Sequence, residues 1–159
     1  LLLMAWCNFT HMTFDKYPVS IGASSMVYEF VSEGVHGKIP KLVVYSETHL
    51  QNFYNLGFGD KNESTGLIND HVISNNGDSE KVLATVTSTV YLFTDKYPGA
   101  MVFATGSSRA RTRLYRIGIS NNLELIQADF EVFGLAGEHW EDFKKGREYD
   151  AFLVIRKNK

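Results

Sequence analysis

The arginines of the segment 109–116 are the side chains in this sequence that could most directly do chemistry. Four arginines occur within these eight residues. If the segment is helical, the side chains of Arg109, Arg113 and Arg116 fall within a wedge of about 60°. Three guanidinium groups on one stripe repel one another unless carboxylates or a bound anion neutralise them. The alternative is a solvated helix face on which the arginines pair with acidic residues of neighbouring strands.

A turn of small residues, Gly106-Ser107-Ser108, stands immediately before these arginines. Ser107 or Ser108 can cap the helix, and the first backbone N–H groups of a helix favour a phosphate or another oxyanion. Guanidinium groups form strong charge-assisted hydrogen bonds with the same anions. The turn and the arginine stripe together predict a binding site for a phosphate-bearing or acidic partner. A nucleotide, a nucleic acid or an acidic protein would each fit.

The other positions of this helix predict how it lies on the rest of the domain. Ala110, Leu114 and Ile117 share an adjoining face, and we expect that face to pack against a sheet. Arg111 and Tyr115 are expected to point roughly the other way.

A second candidate site is the glycine-containing turn before a long helical segment, with the sequence Ser74-Asn75-Asn76-Gly77-Asp78. Such a turn can cradle a phosphate at the helix N-terminus, so Asn76 and Gly77 are weaker binding candidates. Asp78 would repel an anion there, and it is also a good N-cap. Ordinary capping of the helix is therefore the competing interpretation.

Composition argues against several other kinds of site. The 159 residues carry a net charge of −2, so any anion site must come from a local cluster of positive charge. Cys7 is the single cysteine, which excludes a disulfide framework and a cysteine-based zinc site, and it suits a reducing, cytoplasmic compartment. The five histidines show no metal-ligand spacing, and no apolar run reaches the ~20 residues of a membrane helix. We expect no metal, no cofactor and no membrane partner.

The hydrophobic pattern predicts an α+β domain with a mixed sheet of about five to six strands, one long helix and one or two short helices, in the order β-β-(α)-α-β-α-β-β. The predicted strands are residues 26–31, 41–46, 100–105, 130–133 and 149–155, with an optional short strand at 68–73 in an otherwise loop-like stretch, 57–79. The predicted helices are a short one at Leu50, Phe53 and Tyr54, a long one from Ser79 to the Pro98-Gly99 stop, and the arginine helix, which Gly118 would end. Residues 12–159 are expected to form one domain, and residues 1–11 a non-native or disordered leader.

Three stretches of the sequence, taken together, are similar to a known domain family. They are Asn75-Asn76-Gly77-Asp78 with Lys81-Val82-Leu83-Ala84-Thr85-Val86, then Arg111-Thr112-Arg113-Leu114-Tyr115-Arg116, and finally Tyr149-Asp150-Ala151-Phe152-Leu153-Val154-Ile155-Arg156-Lys157. These stretches resemble an uncharacterised bacterial domain family found mostly in Bacteroidetes, and the resemblance extends from about Phe14 to Lys157. It implies a bacterial cytoplasmic protein, and the family brings no established activity with it.

The order of elements in the second half of the chain is also similar to that of the GNAT acyltransferases. A turn, a helix from Ser79, a strand, and a helix that includes Ala110 and Tyr115 follow the order of that family's phosphate loop, helix, strand and short helix. The similarity implies acyl transfer from an acyl-CoA, with Tyr115 as general acid and the Asn76-Gly77 turn at the pyrophosphate. Tyr115 follows Ala110 by five positions, where the family has four, and the turn contains a single glycine.

Three function hypotheses follow from these patterns. The first is a binding domain for a phosphate-bearing or acidic partner, the second a degenerate GNAT-like acyltransferase, and the third a protein-interaction component of a toxin–antitoxin-like module. The sequence leaves the enzymatic status and the oligomeric state open.

Overall fold

The computed structural model describes residues 15–69, 72 and 74–158, and over these residues the chain folds into an α+β domain. The eight strands are β1 (Ser20–Ile21), β2 (Val27–Gly34), β3 (Gly37–Glu47), β4 (Phe53–Asp60), β5 (Met101–Ala104), β6 (Phe130–Ala136), β7 (His139–Asp142) and β8 (Ala151–Arg156). The α-helices are α1 (Ser79–Lys96), α2 (Arg109–Asn121) and α3 (Leu123–Asp129), and a 3-10 turn, Ala23–Ser25, follows β1. The predicted α+β class is confirmed, whereas the predicted count of five to six strands is wrong.

The strands form one mixed sheet in the order β1-β2-β3-β4-β5-β8-β6-β7. β4 and β5 are parallel, and the other neighbouring strands are antiparallel. The chain crosses from β4 to β5 through α1, because parallel neighbours need a long connection. The last described strand, β8, then inserts between β5 and β6.

The core lies between the helices and one face of the sheet. Alternate strand residues such as Tyr45 and Phe152 point to this side and are almost fully buried. The ring of Phe93 in α1 stacks on Tyr45 with the ring centroids 4.0 Å apart. Tyr91, two residues earlier in α1, meets Phe130 edge-on at 4.9 Å. These aromatic contacts hold α1 across β3 and β6.

The segment that follows β3 differs from its prediction. The spacing of Leu50, Phe53 and Tyr54 predicts a short helix, but residues 53–60 form β4, which pairs with β3 on one side and β5 on the other. Three apolar residues are too few to distinguish a helical period from an alternating one. The sheet supplies two partners for this segment, and that tertiary pairing decides its conformation.

The chain between β4 and α1 has little regular structure in its described part. Its optional strand at 68–73 is reduced to a single bridge between Lys61 and Ile68, and residues 70, 71 and 73 lie outside the described residues. The backbone N–H of Asn69 donates to the carbonyl oxygen of Asp60 at 2.7 Å. The segment therefore folds back beside the end of β4.

The long helix is confirmed as α1, and it ends just before Pro98-Gly99 as predicted. Its buried hydroxyl residues include Thr85, Ser88 and Thr89, and each donates to a backbone carbonyl of the preceding turn at 2.6–2.7 Å. These bonds satisfy hydroxyl groups that would otherwise be costly to bury. The β-branched composition of the segment is therefore compatible with a buried helix.

Helix α2 begins as predicted but presents a different side to the core. The predicted packing face is exposed at Ala110 and only half-buried at Leu114 and Ile117. The prediction that Arg111 and Tyr115 point away from the core is wrong, because both are buried. The buried residues of α2 are Arg111, Thr112, Tyr115 and Gly118.

Gly118 does not end α2, contrary to the prediction. It lies inside the helix, which continues to Asn121 before α3 begins at Leu123. A Cβ atom at position 118 would lie 3.2 Å from Cδ2 of Leu83. The glycine therefore lets α2 approach α1 closely.

The closing strand pair is confirmed as β6 and β8, with Phe133 opposite Leu153. The sequence prediction missed the two strands at the edges of the sheet. One of them is the two-residue β1, and the other is β7, which forms a hairpin with β6. These edge strands account for much of the difference between the predicted and observed strand counts.

Candidate functional site: an arginine groove and a buried polar pocket

The predicted arginine stripe lies on one open groove, with a volume of about 540 Å³. Five of the six predicted residues line it: Gly106, Ser108, Arg109, Arg113 and Arg116. The sixth, Ser107, is exposed in the same turn. We call this surface the arginine groove. The helical wheel was therefore right about which arginines share a side.

The cations of the arginine groove have no ion-pair partner among the described residues. No carboxylate in that part of the chain lies within ion-pair distance of Arg109, Arg113 or Arg116. Glu148 and Asp150 border the groove as well. The groove is therefore positive along α2 and negative along the segment before β8.

The N-terminus of α2 is shaped by two short hydrogen-bonded turns. The side-chain Oγ of Ser108 accepts from the backbone N–H of Arg111 at 3.3 Å, as an N-cap does. The N–H of Gly106 donates to Oγ1 of Thr112 at 3.1 Å. A Cβ atom at position 106 would lie 2.4 Å from the backbone nitrogen of Thr112, so only glycine fits there. In the described part of the chain, the backbone N–H of Arg109 has no acceptor and is available to a ligand.

Arg111, the fourth arginine, has a different role because its side chain turns into the protein. It is only 8% exposed. Its Nη1 donates to the carbonyl oxygen of Phe58 at 3.3 Å, and its Nη2 donates to the carbonyl oxygens of Asn69 and Val72 at 2.8 and 2.7 Å. One guanidinium group thus connects α2, the end of β4 and the segment that follows β4.

A second buried polar cluster lies at the end of β4 and was missed by the sequence analysis. The ammonium group of Lys41 pairs with the carboxylate of Asp60 and donates to Oγ of Ser74 at 2.8 Å. The hydroxyl of Ser74 in turn donates to Asp60 at 3.0 Å. Lys41 donates to both Asp60 and Ser74, so its ammonium group acts as a donor toward Ser74 and not as a base. The arrangement suits binding or structure better than nucleophilic catalysis.

The alternation of inward- and outward-facing residues along β3 indicates that Lys41 is buried. Lys41 is in phase with the inward-facing Val43 and Tyr45, and the register places Asp60 directly opposite Lys41. A lysine at an inward position needs a buried partner. The partner could not be identified without the register of β3 and β4.

A pocket of about 190 Å³ lies beside both buried clusters, and we call it the α1–α2 pocket. Lys41, Asp60 and Arg111 form part of its polar wall, while Leu114 and Tyr115 contribute to its apolar wall. Burial raises the pKa of the Tyr115 hydroxyl well above its ordinary value, and the charge of Arg111 opposes this shift only in part. The hydroxyl therefore stays protonated well into the alkaline range.

The turn before α1, the weaker candidate site, is tied into the sheet. Asn76 is 2% exposed, and its side-chain amide donates to Oγ of Ser32 and to the carbonyl oxygen of Gly37 at 3.0 and 2.9 Å. Asp78 stands at the N-cap of α1, but its carboxylate accepts from the hydroxyls of Ser32 and Tyr17 at 2.5 and 2.6 Å. The side chains of this turn are therefore engaged within the protein.

The structure brings together two of the three weaker candidates. Asn76 and Tyr115 both line the α1–α2 pocket, whereas Gly77 borders a separate groove beside Lys81. In the residues that the structure describes, no group of three or more His, Cys, Asp or Glu side chains could hold a metal ion.

These features define a small α+β domain with an arginine groove on one side of α2 and a polar pocket on the other. No helix in the described residues is long and apolar enough to cross a membrane. The chain belongs to a family of unknown function, DUF6934, whose model matches residues 13–157. This confirms the resemblance to an uncharacterised domain family. No curated protein and no solved structure matches the chain.

Proposed function

We propose that the arginine groove binds an oxyanion carried by a phosphate-bearing ligand or by an acidic protein. The observation that carries the proposal is that Arg109, Arg113 and Arg116 share one groove without a carboxylate at ion-pair distance in the described structure. Neighbouring cations on one helix destabilise each other, and a bound anion removes that repulsion. Guanidinium groups also recognise phosphate and carboxylate oxygens through paired hydrogen bonds.

The N-terminus of α2 and the acidic rim of the groove restrict the kinds of anion that the groove can bind. The free backbone N–H of Arg109 and the positive end of the helix dipole favour a negative group near Gly106. Glu148 and Asp150, across the groove, repel negative charge that extends beyond α2. A compact anion seated against α2, such as a terminal phosphate or diphosphate, is therefore favoured over a long polyanion.

Titration calorimetry with inorganic pyrophosphate at low ionic strength tests the proposal. We expect binding that weakens as salt is added, because the contacts are exposed and electrostatic. The variant Arg109→Ala/Arg113→Ala should lose most of the affinity. Its matched control is Lys38→Ala/Lys96→Ala, which removes two exposed positive charges from other surfaces and should bind as the wild type does.

A parallel titration with a short polyglutamate peptide separates the two sources of the anion. Binding of pyrophosphate alone assigns a phosphate-bearing ligand, and binding of the peptide alone assigns an acidic protein, as a toxin–antitoxin-like module would require. Binding of either probe that persists in high salt and in the double arginine variant would refute the proposal.

A GNAT-like acyl transfer is the second candidate function. The observation in its favour is that Asn76 and Tyr115 line the same pocket, beside helices and strands in the expected order. Against it, Asp78 places a carboxylate at the N-terminus of α1, where a pyrophosphate would bind. A thermal shift with millimolar acetyl-CoA that Tyr115→Phe diminishes would support this function, and no shift would exclude it.

A further inference from the structure

The α1–α2 pocket is a second candidate binding site, separate from the arginine groove. Its walls include Lys41, Arg111 and Tyr115, and none of the arginine-groove cations lines it. Pockets that combine an apolar wall with a few converging polar groups are the usual form of a small-molecule site. The volume of about 190 Å³ restricts the ligand to a small molecule, because a cavity of roughly 150 Å³ accommodates benzene.

The positive groups of this pocket retain unused hydrogen-bond donors. A guanidinium group has five N–H donors and an ammonium group has three. Arg111 makes three hydrogen bonds, all to neutral carbonyl oxygens, and Lys41 makes two within the described structure. Both side chains are at least nine-tenths buried. A ligand in the pocket can accept hydrogen bonds from these unused donors.

The four charged side chains that line the pocket, Lys41, Asp60, Asp78 and Arg111, have formal charges that sum to zero, but Arg111 has no charged partner in the described structure. Lys41 and Asp60 neutralise each other. The carboxylate of Asp78 accepts from two hydroxyls and lies at the N-terminus of α1, whose dipole stabilises a negative charge. The described partners of Arg111 are all uncharged, so a negatively charged group of a ligand would complement Arg111 directly.

The apolar wall of the pocket adjoins a second cavity. That cavity has a volume of about 70 Å³ and lies between α1, α2 and the sheet. Leu83 and Tyr115 belong to the walls of both spaces. A ligand with a polar head at Arg111 would therefore place its remaining atoms against these two side chains.

We propose that the α1–α2 pocket binds a small organic acid with an apolar body. Its carboxylate accepts hydrogen bonds from Arg111 and Lys41, and its hydrocarbon part packs against Leu83 and Tyr115. This site and its ligand differ from those of the arginine groove, so an experiment can refute binding at one site and leave binding at the other intact.

Phenylacetate and its uncharged analogue phenylacetamide are the matched probes. The two have the same size and shape, but only the acid supplies a negative charge to Arg111. We expect phenylacetate to raise the unfolding temperature and to bind about tenfold more tightly than the amide, since hydrogen bonds between charged groups are the stronger ones. Equal binding of the two probes, or binding of neither phenylacetate nor hexanoate, would overturn the proposal.

Variants that fill the pocket test whether the ligand binds there, and they leave Arg111 unchanged. Leu114→Trp puts an indole ring at a half-buried wall position, and Ile117→Trp is its control on the same helix, outside the pocket lining. We expect the first variant to lose phenylacetate binding and the second to keep it. Unchanged binding in Leu114→Trp would contradict the assignment.

Backbone NMR chemical shifts of the wild-type protein, measured with phenylacetate, independently locate the binding site of this ligand. Shifts concentrated at Phe58, Leu83 and Tyr115 support the pocket, and shifts concentrated at Arg109 and Arg113 refute it. The Arg109→Ala/Arg113→Ala protein should bind phenylacetate as tightly as the wild type. This measurement also distinguishes the two sites, because the same variant is expected to lose its affinity for pyrophosphate.

Discussion

The Nη2 atom of Arg111 lies 2.7 Å from the carbonyl oxygen of Val72, and this bond joins α2 to the segment that follows β4. Replacing Arg111 by Met would remove one donor from each of three backbone carbonyl oxygens. We expect the free energy of unfolding to fall by about 2–4 kcal/mol. Arg113→Met, at an exposed position of the same helix, should change it by less than about 0.5 kcal/mol.

Urea denaturation followed by circular dichroism measures both values. Hydrogen exchange adds a local test, because Arg111→Met should release the backbone around Asn69 before the rest of the domain. Equal stability of the two variants would show that the contacts of Arg111 do not hold this segment in solution.

The buried pair of Lys41 and Asp60 should behave as a coupled unit. Lys41→Met or Asp60→Leu alone leaves one buried charge without its partner, and we expect each to cost about 3–5 kcal/mol. The double variant removes both charges and should cost less than the sum of the two single changes. The neighbouring pair Lys61–Glu29 is partly exposed, and breaking it should cost no more than about 1 kcal/mol. Additive effects at Lys41 and Asp60 would argue against a coupled buried pair.

The sequence was most informative where a pattern is local. The period of α1, its stop at Pro98-Gly99 and the cap of α2 at Ser108 each depend on residues within one or two turns. The same holds for the shared side of Arg109, Arg113 and Arg116, since helical spacing alone fixes it.

The sequence was least informative where a distant partner decides the outcome. A helical wheel does not say which side of α2 is buried, and the general preference for apolar residues inside favours Leu114 over Arg111. Arg111 turns inward because the carbonyl oxygens of Asn69 and Val72 accept hydrogen bonds from its guanidinium group. Lys41 likewise needs Asp60, which only the register between β3 and β4 places opposite it.

Removing the hydroxyl of Tyr28 should stabilise the protein. Tyr28 is fully buried, and its hydroxyl has no hydrogen-bond partner in the described part of the chain. Tyr28→Phe removes an unsatisfied polar group, and we expect a gain of about 1 kcal/mol in the free energy of unfolding. Tyr45→Phe is the contrasting variant, because the Tyr45 hydroxyl lies 2.9 Å from Oγ1 of Thr89. It should lose about 1 kcal/mol in the same urea measurement, and a loss in both would mean that the Tyr28 hydroxyl has a partner.

The buried tyrosines should make the domain sensitive to alkali. Burial raises the pKa of Tyr28 to about 12, from an ordinary value of 10.0, and it also raises the pKa of Tyr45 and of Tyr115. A raised pKa in the folded state means that unfolding releases protons at high pH. The stabilisation is therefore complete below about pH 10 and is lost as the pH rises toward about 12. The midpoint of urea unfolding should decline less steeply across this pH range in Tyr28→Phe than in the wild type. Parallel declines in the two proteins would contradict a raised pKa of Tyr28.

The acidic rim of the arginine groove should weaken anion binding, and Glu148 tests this without touching an arginine. Glu148 is exposed and borders the groove, and it forms no ion pair with a described residue. Glu148→Gln removes one negative charge at constant size, so the attraction between pyrophosphate and Arg113 is less opposed. Exposed charges contribute roughly 0.2–1 kcal/mol, which corresponds to a dissociation constant about 1.4- to fivefold lower. Calorimetry at low salt should show this gain, and Glu63→Gln, an exposed change in the segment after β4, should show none. A weaker complex in Glu148→Gln would mean that this carboxylate contributes to binding, and the ligand would then carry a positive or hydrogen-bond-donating group.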